Sequence, residues 1–158
     1  MEKNSTKIRR GLSDMTYEEF GKLRFLDFFP KTDSYYCDDF GSSERGIGMA
    51  CSEGYAFTNF ARPLDLQQTA EIILDFDHSC PEIEGNALLE YLGLSIRKGM
   101  PYEQVRRILG TPEPVKANPA HLRFIIGSAC PYYVGCFIRE REGLSRVWIC
   151  RKDLAEPV

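Results

Sequence analysis

Histidine is almost missing from this chain: His78 and His121 are the two present in 158 residues. Zinc sites are built from clustered His and Cys ligands, so a histidine-based metal centre has little to draw on. The six cysteines, at 37, 51, 80, 130, 136 and 150, include no C-x-x-C pair, which removes the short-spaced metal and redox motifs. No run of about 18 apolar residues occurs, as a membrane-spanning helix would need. No apolar stretch follows the basic start of the chain (Lys3, Lys7, Arg9, Arg10), so a secretory leader is not expected. The corresponding expectation is a cytoplasmic protein whose thiols are free, with Cys136 and Cys150 acting as small hydrophobes on strands. The glycines at 41, 46 and 48 surround a segment without a Walker lysine, and a strand pattern follows them. A phosphate cradle opening a helix is therefore not read there.

Charge is present but unevenly spread. The net charge is −3. Residues 11–80 hold five Lys/Arg and thirteen Asp/Glu, whereas residues 81–158 hold eleven and nine. An acidic half argues against nucleic acid, whose phosphates need clustered cations. It suits a basic protein partner, because complementary fields steer association.

Pattern and punctuation give the elements. Residues 1–13 read as a flexible basic tail. Thr16 with Glu19 forms a capping box, and Phe20, Leu23 and Leu26 continue at helical spacing until Pro30. Strands are expected at Ser34–Phe40, at Gly46–Cys51 and Tyr55–Phe60 as a hairpin, and at Thr69–Phe76. Asp77–Gly85 reads as a loop. Asn86–Leu94 reads as a helix, and Pro101 opens another that Gly110 and Pro112 stop. Three strands close the chain: Leu122–Gly127, Tyr132–Arg139 and Leu144–Arg151. In the last, Leu144, Arg146, Trp148 and Cys150 alternate against Ser145, Val147, Ile149 and Arg151. The expected fold class is α+β: an antiparallel β-sheet with helices packed on one face, as two helix-then-strands units would build it. The units are an acidic one at 14–80 and a helix-helix-three-strand one at 81–158, separate or joined in one domain.

The stretch Leu94–Pro112, LSIRKGMPYEQVRRILGTP, resembles the G-M-x-x-x-x-V-x-x-I-L-G-x-P signature of small lipoproteins of the outer-membrane barrel-assembly machinery (SmpA/OmlA-like). Gly99, Met100, Val105, Ile108, Leu109, Gly110 and Pro112 match it, and the resemblance covers about residues 88–151. It implies two helices on a three-stranded antiparallel sheet and a protein-binding module. The two-unit layout is similar to that of β-lactamase inhibitor proteins.

Two sets of candidate site residues emerge. Tyr35, Tyr36, Asp38, Asp39, Phe40 and Glu44 combine aromatics with carboxylates, a composition that suits a protein-binding surface. Asp75, Asp77, His78 and Cys80 gather carboxylates, an imidazole and a thiol, and would serve a small-ligand or metal-dependent enzyme. A thiol–imidazole pair of Cys80 or Cys130 with His121 would need hydrogen-bond contact. The leading expectation is a non-catalytic protein-binding or inhibitory protein, in specific form a cytosolic immunity-type protein that neutralises a basic toxin. No metal or cofactor is expected, and no membrane association; oligomeric state stays open.

Overall fold

Thr16 starts the first helix in the way its sequence specifies. In the computed structural model, which describes residues 11–29, 48–50, 55–58, 69–77, 80–113 and 121–155, its hydroxyl accepts the Glu19 N–H at 3.0 Å. The Glu19 carboxylate accepts the Thr16 N–H at 2.9 Å. Where one helix was expected there are two short ones, α1 (Tyr17–Gly21) and α2 (Phe25–Phe28). The carbonyls at the break are taken by other donors. Thr69 bonds Gly21 O through its N–H and Leu23 O through its hydroxyl, and the Arg24 guanidinium also reaches Gly21 O. The region expected to be tail is ordered from Gly11. Leu12 is fully buried, and its N–H bonds Leu92 O at 2.7 Å.

Helix α3 (Glu82–Tyr91) begins four residues before the expected start, inside the segment read as a loop. Pro81 precedes the helix directly, where a proline loses no hydrogen bond. Gly85 has its own reason: a Cβ there would lie 2.9 Å from the Cys80 sulfur and would collide with the Phe76 ring. Helix α4 (Tyr102–Leu109) matches the expectation and ends at Gly110, at φ +100°.

The described residues hold six strands, three before α3 and three after α4: β1 (Gly48–Ala50), β2 (Tyr55–Thr58), β3 (Glu71–Asp75), β4 (His121–Ile126), β5 (Tyr132–Arg139) and β6 (Gly143–Arg151). They form one antiparallel sheet in the order β1-β2-β3-β6-β5-β4. The chain ends its described course in a short helix, α5 (Lys152–Ala155). Each half thus supplies helices and then a three-stranded meander, and the third strands of the two meanders pair with each other. The fold is α+β. The expected strand at Ser34–Phe40 lies outside the described residues. Among the described residues no helix is long and apolar enough to cross a membrane.

One face of the sheet is aliphatic. Ile72 and Leu74 stand opposite Ile149 and Val147, which stand opposite Val134 and Cys136. This face joins Leu12, Phe20, Leu88, Leu89, Leu92 and Val105 in one buried cluster drawn from both halves. Tyr132 anchors the first helix to it. Its hydroxyl donates to Met15 O at 2.8 Å and Thr16 O at 3.1 Å, and its ring packs on Phe20 and Tyr17. Leu144 belongs to this cluster too, which corrects the expected alternation. A register shift between Phe137 and Ile138 places Leu144 opposite Ile138 and leaves Ser145 as the extra residue. A bulge moves every residue beyond it to the other face.

The Gly99-Met100 pair of the lipoprotein-like signature serves as a splint here. Gly99 N–H bonds Leu144 O at 2.8 Å, and Leu144 N–H bonds Met100 O at 2.9 Å. Gly143 makes room for it: at φ +81°, a Cβ would overlap the Gly99 carbonyl. Gly143→Ala is expected to lower stability by more than about 4 kcal/mol, since backbone overlap adds to backbone strain. Gly110→Ala, with nothing within 4 Å of the added Cβ, is expected to cost only the strain, about 1–3 kcal/mol. Urea denaturation of the two variants checks the difference.

Candidate functional site

Pleating sends the alternate residues of these same strands to the second face. Three cross-strand rows result. The first runs Glu71, Cys150, Tyr133, Ile125; the second Ile73, Trp148, Gly135, Arg123; the third Asp75, Arg146, Phe137, His121. Aliphatic residues dominate the first face, whereas rings and charges dominate this one. The described helices that enter the buried cluster all do so on the first face.

The side chains of the second face are locked to one another. Tyr133 and Trp148 stack with ring centres 6.3 Å apart and planes 17° off parallel. Arg123 lies over the Tyr133 ring at 4.3 Å, and Lys152 approaches it at 5.5 Å. Arg146 lies over the Phe137 ring at 5.2 Å. Each guanidinium is also tied to a carboxylate, Arg123 to Glu113 at 2.8 Å and Arg146 to Asp75 at 3.2 Å. The Trp148 indole N–H donates to Glu71. Gly135 sits beneath this arrangement, because a Cβ there would press on His121 Nε2 at 3.0 Å and on the Trp148 ring at 3.1 Å. Cation–π contacts of this kind are worth about 0.5–2 kcal/mol each. The part-exposed Arg123–Glu113 pair adds less, about 0–1 kcal/mol.

His121 is held below its ordinary pKa, first by burial and then by the Arg123 and Arg146 charges. The unfolded chain therefore takes up this proton at a higher pH than the folded one. Stability is unaffected by His121 above pH 6.5, and falls as pH drops from there toward the folded-state value.

The residues expected to form a site are placed differently. Tyr35, Tyr36, Asp38, Asp39, Phe40, Glu44 and His78 lie outside the described residues. Asp75 is engaged by Arg146 and accepts the Asp77 N–H at 3.0 Å. Asp77 pairs with Arg139 at 2.8 Å. Cys80 is buried in the aliphatic cluster, where its thiol donates to Pro81 O at 3.7 Å. Burial, with the Asp75 and Glu84 carboxylates, pushes it up to about 12. Cys80 and His121 occupy opposite faces of the sheet. His121 opens β4 and Cys130 lies in the connection after its far end, so the length of the strand separates them. Neither thiol is positioned against the imidazole. Among the described residues no group of three or more His, Cys, Asp or Glu side chains converges as metal ligands would.

No motif marks the second-face set, because its members are scattered over four strands. The signal lay in the alternation: positions opposite the aliphatic ones in β4, β5 and β6 carry rings, arginines and a glycine. Comparisons with protein-family models, with curated proteins and with solved structures found no match.

Two measurements follow from these environments. Cys136 and Cys150 are also pushed up to about 12 by burial. At pH 8 the native chain should therefore alkylate at Cys80, Cys136 and Cys150 about a thousandfold more slowly than an ordinary thiol, read by peptide mass spectrometry. His121→Gln should flatten part of the decline in stability below pH 6.5, read as denaturant midpoints across a pH series.

Proposed function

We propose that this chain is a non-catalytic protein-binding protein that engages its partner through the second face of the sheet. One observation carries this reading: Trp148, Tyr133, Phe137 and two arginines are gathered on the sheet face opposite the one whose aliphatic cluster takes in Phe20, Leu88 and Val105. Trp, Tyr and Arg are the residue types that dominate binding hot spots. Their mutual stacking fixes the rotamers beforehand, which lowers the entropy lost on docking. Asp75 and Glu113 are paired with the two arginines, so phosphate would have to displace an existing carboxylate. That favours a protein partner over nucleic acid.

The more specific form is a cytoplasmic immunity-type inhibitor of a basic toxin. It rests on the charge of residues 11–80, which hold thirteen acidic and five basic side chains. Such a field accelerates encounter with a basic protein. The buried thiol of Cys80 and the ion-paired carboxylates of Asp75 and Asp77 are in states that do not suit nucleophilic or metal chemistry.

Capture of partners from the source cell by the immobilised chain, quantified by mass spectrometry, tests the proposal. A protein retained by the wild type should fall at least tenfold with both Trp148→Ala and Phe137→Ala, as hot-spot truncations do. If no protein distinguishes the wild type from both variants, at low and at moderate salt, the assignment fails. Trp148 is the one tryptophan of the chain, so the partner once purified should also change its emission.

A further inference from the structure

Helix α3 presents Asn86 and Glu90 one turn apart on a single side. The chain that leaves it alternates strictly: Leu92, Leu94 and Ile96 are buried, while Gly93, Ser95 and Arg97 face outward. The helix side and this extended run enclose a hollow of about 220 Å³, lined by Asn86, Glu90, Ser95, Ile96 and Arg97. Asn86 ties the two walls together, since its side-chain oxygen accepts the Lys98 N–H at 2.9 Å. That bond fixes the amide, and its NH₂ group is left to donate elsewhere.

Two features are not explained by folding. Glu90 and Arg97 bring opposite charges to one hollow, yet neither forms an ion pair among the described residues. Ser95 holds a left-handed backbone at φ +56°. Two residues earlier, in the turn that ends α3, Gly93 takes a left-handed position at φ +73°. Glycine at 95 would adopt the backbone conformation without steric cost, whereas serine keeps a hydroxyl at the hollow. Strain of this kind in a non-glycine residue is found at ligand sites.

We propose that this hollow binds a small zwitterion of the α-amino acid class. The ligand ammonium would face Glu90, and its carboxylate would face Arg97, with the Asn86 amide and the Ser95 hydroxyl as further donors. Size limits the class. The volume falls below the roughly 300 Å³ at which pockets for drug-sized ligands begin, which suits a small ligand rather than a nucleotide or larger cofactor. Both charges are exposed to solvent, where ion pairs are weak, so a dissociation constant on the order of 1–10 mM is expected. The site is separate from the second sheet face, and its failure would leave the protein-binding proposal standing.

Titration of the ¹⁵N-labelled chain with glycine, L-alanine and L-serine, followed by amide shifts in two-dimensional NMR, is the test. Ethylammonium chloride and sodium acetate at matched ionic strength serve as single-charge controls. The expected result is saturable shifts confined to residues 86–98 with at least one amino acid, and none that saturate with either control. Glu90→Gln and Arg97→Gln should each weaken binding at least about fivefold without changing the melting temperature, as surface substitutions allow. Ser95→Gly should weaken binding while leaving stability equal or higher. Shifts that stay linear with every amino acid, or that the single-charge controls reproduce, would overturn the proposal.

Discussion

Antiparallel pairing of β3 with β6 is the constraint on which the molecule depends. The register Ile72↔Ile149 and Leu74↔Val147 joins the meander of one half to that of the other. It also decides which side of both meanders faces the helices, because side chains in a strand alternate with a period of two. With β6 in place, a slip of β3 by one residue would send Glu71 into the aliphatic cluster and Ile72 out of it. Burying Glu71 without a partner would cost far more than the pairing could return. The hydrophobic core and the ring-and-charge face are therefore two results of one register.

That register was visible in part from sequence. The strands of the second half alternate cleanly, and the polar loop Glu140–Gly143 sets their hairpin. The start of α3 was not legible, because Asp77–Gly85 reads locally as a loop. The need for glycine at 85 comes from Phe76 and Cys80, which reach it only in the folded chain. The break between α1 and α2 was hidden for the same reason, since Thr69, some forty-five residues onward, supplies the competing hydrogen bonds. Leu144 was assigned to the wrong face because Ser145 looks like any other residue of an alternating strand. Only the pairing with β5 shows that it is extra.

Site residues were harder to read than elements. Local runs such as Tyr35–Phe40 or Asp75–Cys80 attract notice because their chemistry is contiguous. In a sheet, however, neighbours in space are cross-strand partners, so the informative grouping is Arg146 with Phe137 and Asp75, or Arg123 with Tyr133 and Glu113. Asp75 shows the difference. Beside His78 and Cys80 it resembled part of a reactive cluster; in the folded chain it is the counter-ion of an arginine stacked on a ring. Cys80 points the other way, into a cluster where its thiol is held protonated.

Preorganisation on the second face follows from the same geometry. A guanidinium that lies over a ring and also meets a carboxylate has two restraints, and it loses little freedom when a third group arrives. Gly135 makes this possible, since a Cβ there would press on both Trp148 and His121 and oblige them to shift. His121 completes the restraint from the β4 side. Kept neutral by burial and by two neighbouring arginines, it adds a ring beside Phe137 without adding a third positive charge. Were it charged, three cations would crowd one corner where Asp75 and Glu113 already balance two. The neutral imidazole thus lets the aromatic row extend to the outermost strand while the corner keeps its charge balance.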